Sequence, residues 1–371
     1  MKPLTAFESG MRRERTHTPI SARPTPLENA YRVLAGVEDE LLRAKCRALI
    51  AGYDARWGGA PLVPVVVEKL VTAPLVNPAT DAGSRTFRLA GKVDVIANGG
   101  NDVVLIDHKT TSSDLSADSM YWRQLAVESQ ATHYMLLEWL NGRKVDTALW
   151  DVVRKPTIAP KKLSKADTAG ITATGEYFGS LVTFPADWDG RETPAMYEAR
   201  LRHDCTVERP DHYFARHPVP RLDKELIDHA AELWDYSQEI ITARRLNRHS
   251  RNDAACMLYG SPCQYLGICS GFDTPDSDTW RRRESVHSEL PELDGDGRDV
   301  LTYSRLRCFK TCRRKHQYRY ELGIERQDAE DRDALVFGSV WHAAQEAFWR
   351  GLLPMEEYCN GSDTTEAHVA F

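Results

Sequence analysis

No apolar run in this sequence approaches the length that crosses a bilayer, and the opening residues MKPLTAFESGMRRERTHTPI lack the apolar centre of a secretion signal. Those two absences make a cytoplasmic chain with no membrane attachment the expectation. An excess of positive charge is missing too. The formal net charge is −6, so any nucleic acid must be held by local basic patches and not by global attraction. No internal repeat is visible. What is present suffices for a core: 371 residues can form one large domain or two smaller ones, and 42% of them are hydrophobic. Cysteine is scarce but unevenly spread. Cys256, Cys263 and Cys269 cluster, Cys308 and Cys312 pair, and Cys46, Cys205 and Cys359 stand alone. In a reducing compartment such clusters favour a metal over disulfides.

The chain is organised around FRLAGKVDVIANGGNDVVLIDHKTT, Phe87 to Thr111. VDVI and VVLI read as two buried strands joined by a tight turn. Side chains alternate along a strand, so Asp107 and Lys109 share a face. A turn on Gly100 and Asn101 sets Asp94 opposite Asp107, and side chains paired in that way lie about 5 Å apart. Two carboxylates so close repel unless a positive charge lies between them, and a divalent cation fills that role. The plainer reading is a surface hairpin with solvated charges, but the acids directly follow a buried run.

Elsewhere, residues 1–26 are polar and expected to be disordered. Leu27 to Trp57 has helical spacing, with Cys46 as a core residue. PLVPVVVEKLVT reads as a strand in which Glu68 is a strand-edge residue that could approach the metal. Met120 to Leu140 reads as one amphipathic helix stopped by Asn141 and Gly142, with Gln130 and Tyr134 on one face. VDTALWDVVRKP is a further strand. Residues 157 to about 205 read as a connection in which His203 and Cys205 are incidental, and Glu225 to Arg245 as a helix leading to the cysteine cluster. Residues 271–300 are acidic and linker-like. LTYSRLRCFKTCRRKHQYRYELGIERQ and ALVFGSVWHAAQEAFWRG are both helical.

Taken together, these residues resemble the PD-(D/E)XK nuclease superfamily, in particular its RecB-type, AddB-type and phage exonuclease branches. GKVDVI around Asp94 resembles the first acidic motif, IDHKT from Asp107 to Lys109 the (D/E)xK motif, and Gln130 with Tyr134 the QxxxY motif. The resemblance implies an α/β, restriction-endonuclease-like core, a central mixed sheet flanked by helices, with a helical iron–sulfur region. By the same resemblance Cys256, Cys263, Cys269 and Cys312 hold a four-iron four-sulfur cluster, and FGSVWHAAQE places His342 on the metal. Segment order departs from the family, because the pieces carrying Cys312 and His342 come last. The expected organisation is a nuclease core over 27–270, a linker over 271–300, a permuted completing segment over 301–353 and a tail over 354–371. Two other arrangements stay open: a partial second copy, or donation of the last segment to a neighbouring chain.

The resemblance implies a Mg²⁺- or Mn²⁺-dependent deoxyribonuclease, an exonuclease of recombination or repair that acts on DNA beside a helicase or recombinase. Asp94, Asp107, the His108 carbonyl and His342 then bind the metal, Lys109 serves the attacking water, and Gln130 and Tyr134 position the lysine and the strand. Two alternatives compete: an inactive DNA-binding protein of the same fold, and a zinc-stabilised nucleic-acid-binding module, since four cysteines also suit Zn²⁺.

Overall fold

The computed structural model describes residues 23–285, 287, 290, 297–327 and 333–354. Two helices lead in. Thr25 and Glu28 form a capping box on α1 (Pro26–Leu34), with Pro26 in the first turn, and Asp39 caps α2 (Glu40–Trp57). β1 (Val63–Val76) and β2 (Gly83–Gly99) form a long antiparallel pair. β3 (Asp102–Thr111) returns through Gly100 and Asn101, where Gly100 takes a φ of 71° that glycine adopts without steric cost. α3 (Met120–Ala126) and α4 (Gln130–Leu140) carry the chain over to β4 (Thr147–Arg154), parallel to β3. After α5 (Lys165–Thr174) and α6 (Pro194–His203), β5 (Phe214–Val219) joins β4 antiparallel. α7 (Asp223–Leu246), β6 (Asp299–Leu301), α8 (Tyr303–Thr311) and α9 (Asp333–Leu352) complete the fold.

The sheet is mixed, in the order β1-β2-β3-β4-β5, and buried on both faces. On one face Val93, Ile96, Leu105, Trp150 and Val152 pack with Trp122, Met135, Leu233 and Phe309 from α3, α4, α7 and α8. On the other, Val95, Val104 and Ile106 pack with Leu34, Leu49, Tyr53, Trp341 and Phe348 from α1, α2 and α9. The alternation of Leu105 and Ile106 between the two cores is the period-two pattern of the sequence made visible. No helix among the described residues is long and apolar enough to cross a membrane.

One detail of the sheet positions the site. β2 outruns both neighbours on its second edge: β3 covers Val95–Gly99, and β6, running parallel, covers Phe87–Leu89. Among the described residues, no strand pairs with residues 90–94 on that side. Buried backbone groups left without a ladder need other partners. The Ala90 carbonyl meets His133 Nε2 at 3.2 Å, and on the β3 side the His108 N–H donates to Asp94 Oδ2 at 2.8 Å.

Several expectations are corrected. The helix expected over Met120–Leu140 is two helices, broken where Arg221 donates to the carbonyls of Ala126 and Glu128. Residues 157–205 are not a plain connection. α5, α6 and a hairpin enclose a small core of Ile171, Tyr177 and Met196, and Cys205 is buried with its thiol near the Ala48 carbonyl. The stretch read as a linker contributes β6 and a strand, Trp280–Arg282, which pairs with Ile324–Arg326 as Trp280 stacks on Tyr265. The last segment packs on its own chain. α9 lies on α1 so closely that a Cβ at Gly351 would sit 2.7 Å from Pro26 Cα, and Arg23 donates to the Gly351 carbonyl at 2.8 Å. The expected disorder of residues 1–22, Cys359 and the tail beyond Pro354 lie outside the described residues.

Candidate active site

β1 pairs Val67 with Val95 and Lys69 with Val93, which sets Glu68 opposite Asp94. Glu68 has a φ of 51°, a left-handed conformation that glutamate seldom adopts inside a strand and that costs of order 1–3 kcal/mol. Its side chain is only 5% exposed. α9 brings His342 over this pair, with Nε2 3.5 Å from Asp94 Oδ2 and Nδ1 3.5 Å from Glu68 Oε1. One ligand atom from each of Glu68, Asp94 and His342 lies within 4.8 Å of the others, and no other His, Cys, Asp or Glu among the described residues joins such a group.

Asp107 and Lys109 do share a face, and their charges meet: Lys109 Nζ is 2.6 Å from Asp107 Oδ2. Asp107 therefore stands beside the three-residue group and not within it. Lys109 also donates to Gln130 Oε1 at 2.7 Å, and Gln130 Nε2 donates to the Tyr134 hydroxyl at 3.1 Å. Tyr134 can lie against β2 because position 91 is glycine; a Cβ there would meet its ring at 2.7 Å. A β-strand residue directs its N–H and C=O to the same neighbour, so the His108 carbonyl faces Asp94 with its N–H. The His108 ring lies on the opposite face, with Nδ1 3.4 Å from Asp151 Oδ2 and 3.2 Å from Gln345 Nε2. A cleft of about 760 Å³ opens over the site, lined also by Lys92, Lys155, Tyr303 and Glu346.

Comparison with known families decides the class. The family model of the PD-(D/E)XK nuclease superfamily matches residues 7–270 and 300–370. The chain belongs to the PD-(D/E)XK nuclease superfamily. No curated protein and no solved structure matches it. PD-(D/E)XK proteins are in general metal-dependent nucleases that use Mg²⁺ or Mn²⁺ on nucleic acid, and the mixed sheet between helical layers is consistent with their restriction-endonuclease-like core.

The electrostatics of this candidate site in the PD-(D/E)XK chain suit a cation. Burial, then the charges of Asp107 and Glu68, push the Asp94 carboxyl up to about 8. Burial raises Asp107 as well, against the pull of Lys109. Burial alone would lower the Lys109 ammonium, but Asp107 and Asp94 outweigh it and hold the group above its ordinary value, hence protonated. Burial, with His108, Lys92 and Lys109 nearby, lowers His342 to about 4, which leaves a neutral imidazole able to donate a lone pair. Glu68 was undervalued as a strand-edge residue. The usable signal was a single acid inside the β-branched run PVVVEKLV.

The cysteines gather elsewhere. Cys256, Cys263, Cys269 and Cys312 line one small cavity with Arg251, Tyr265 and Lys315. The Cys263 N–H donates to the Cys256 carbonyl at 2.8 Å, and Cys312 breaks the helical path after α8 with extended backbone. The neighbouring Cys308 is buried, its thiol pushed up to about 11, and it does not line this cavity. All described cysteines are free.

Proposed function

We propose that this protein is a metal-dependent deoxyribonuclease, an exonuclease of DNA recombination or repair. The observation that carries the reading is the Glu68, Asp94 and His342 group beside the Asp107–Lys109 pair. Glu68, Asp94 and His342 would hold a Mg²⁺ or Mn²⁺ ion, with Asp107 and the His108 carbonyl beside it, and the imidazole would tilt preference toward Mn²⁺. The bound ion supplies an acidified water and neutralises phosphate oxygens. Lys109, kept protonated by Asp107, donates to the attacking water and to the charge that develops on the phosphate. Gln130 fixes the Lys109 ammonium, and Tyr134 fixes Gln130 while facing the cleft. The exonuclease and repair roles, and a helicase or recombinase partner, rest on the likeness of Gln130 and Tyr134 to the RecB branch.

The cysteine cavity is read as the seat of a four-iron four-sulfur cluster held by Cys256, Cys263, Cys269 and Cys312. A single zinc ion bonds sulfur at about 2.3 Å and so draws four sulfurs to within about 3.8 Å of one another. No three cysteine sulfurs among the described residues come within 4.8 Å, which favours the larger group. The cluster would tie residues 256–269 to α8, a structural role in a chain whose segment order we read as permuted.

Asp107→Ala and Lys109→Ala are expected to lower metal-dependent release of nucleotides from labelled DNA by about 10²-fold or more, with circular dichroism unchanged. Normal turnover in either variant overturns the mechanism. No release by the wild type with retained DNA binding would mark an inactive binding protein. Anaerobically purified protein is expected to be brown, and a colourless, zinc-containing preparation would refute the cluster.

A further inference from the structure

Lys92 and Lys109 flank the site in different ways. Lys109 is pinned by Asp107, by Gln130 and by the Trp150 ring 5.0 Å beneath its ammonium. Lys92 stands two residues before Asp94 on β2, lines the cleft, and reaches Glu68 Oε2 at 2.5 Å with a side chain 37% exposed. Glu68 is thus divided, with one oxygen on Lys92 and the other facing His342.

We propose that Lys92 is a built-in counter-cation of the metal site, which leaves Glu68 for a substrate phosphate when a divalent ion binds. The inference rests on the metal-site reading above. A buried carboxylate in a strained backbone needs a positive partner before any metal arrives, and the Lys92 ammonium is that partner. An ion taken up by Glu68, Asp94 and His342 brings two further positive charges beside it, and like charges repel strongly in a recessed, weakly screened site. The lysine stem is flexible and its stretch of β2 opens on the cleft, so the ammonium can swing outward. A nucleic-acid phosphate in the cleft offers it a new partner. Metal and substrate binding then become positively coupled, and by linkage each tightens the other equally.

The test measures Mn²⁺ binding by electron paramagnetic resonance of the free ion at mildly alkaline pH. Without DNA, Lys92→Gln is expected to bind Mn²⁺ about fivefold tighter than wild type, the value of a partly exposed ion pair no longer competing. A single-stranded oligodeoxynucleotide, kept intact in a Lys109→Ala background, is expected to tighten Mn²⁺ binding. The coupling is expected to weaken on adding Lys92→Gln and to be kept with Lys92→Arg. Lys92→Met is measured alongside, in case the glutamine does not fold. Unchanged or weaker Mn²⁺ binding in both neutral variants overturns the inference while leaving the metal site intact. Absence of Mn²⁺ binding in the wild type overturns the site reading itself, and the inference with it.

Discussion

Asp151 offers the sharpest test of how the site is held. Its carboxylate is 1% exposed and lies behind His108, whose backbone N–H secures Asp94. Oδ2 is 3.2 Å from Arg216 Nη2 and 3.4 Å from His108 Nδ1, and it accepts the Tyr53 hydroxyl. Arg216 is buried as well, over the Trp57 ring at 4.4 Å. Asp151→Ala would leave the Arg216 guanidinium with the Tyr53 hydroxyl and aromatic faces but no counter-charge. Breaking one partner from a buried pair costs about 3–5 kcal/mol. Asp151→Asn keeps the volume and one acceptor, so it should cost less. Arg216 and His108 outweigh burial and hold the Asp151 carboxyl far below its ordinary value, so the stabilisation is present above the unfolded pKa near 3.8 and fades only as pH falls below it. Urea denaturation of wild type, Asp151→Asn and Asp151→Ala at neutral pH provides the measurement, with Mn²⁺ titration of the same proteins. A loss below about 1 kcal/mol for Asp151→Ala would refute the argument, since only a solvent-screened pair is worth so little.

Two other outcomes follow from the geometry. Gly91→Ala puts a Cβ 2.7 Å from Tyr134 Cε1 and 3.0 Å from Leu137 Cδ1, so it should cost about 1–3 kcal/mol in a melting experiment. It should also lower turnover by shifting Gln130 from Lys109; wild-type stability and activity would show that the strand and helix are not in close contact. Asp94 carries a proton in the folded, metal-free protein up to about pH 8 but only up to 3.8 when unfolded. The folded state binds the extra proton, so metal-free stability falls as pH rises between these values and is level above them. Mn²⁺ must displace that proton, so its affinity should rise by up to about tenfold per pH unit to about pH 8 and then flatten. A pH-independent titration would contradict the buried acid.

Much of this was legible in the sequence where pattern is local. The turn at Gly100 and Asn101 sets the register that faces Asp94 with Asp107, and the four-residue spacing of Gln130 and Tyr134 fixes one helical face. Glu68 was harder to read because its role depends on a left-handed kink and on pairing with a strand some twenty-five residues on, neither of which a β-branched run announces. Asp151 gave no local sign at all; its partners Tyr53, His108 and Arg216 come from three other elements. The break between α3 and α4 was hidden for the same reason, since Arg221 from beyond β5 makes it.

The stretch of β2 bordered by β6 has a consequence for the order of synthesis. Glu68, Asp94, Asp107 and Lys109 leave the ribosome early, whereas the strand beside Phe87 and the helix bearing His342 emerge on the order of tens of seconds later. Until then the nascent chain carries its acids without their imidazole, next to an open strand edge. On the metal-site reading proposed above, the site can take up its ion only once the helix bearing His342 has been made.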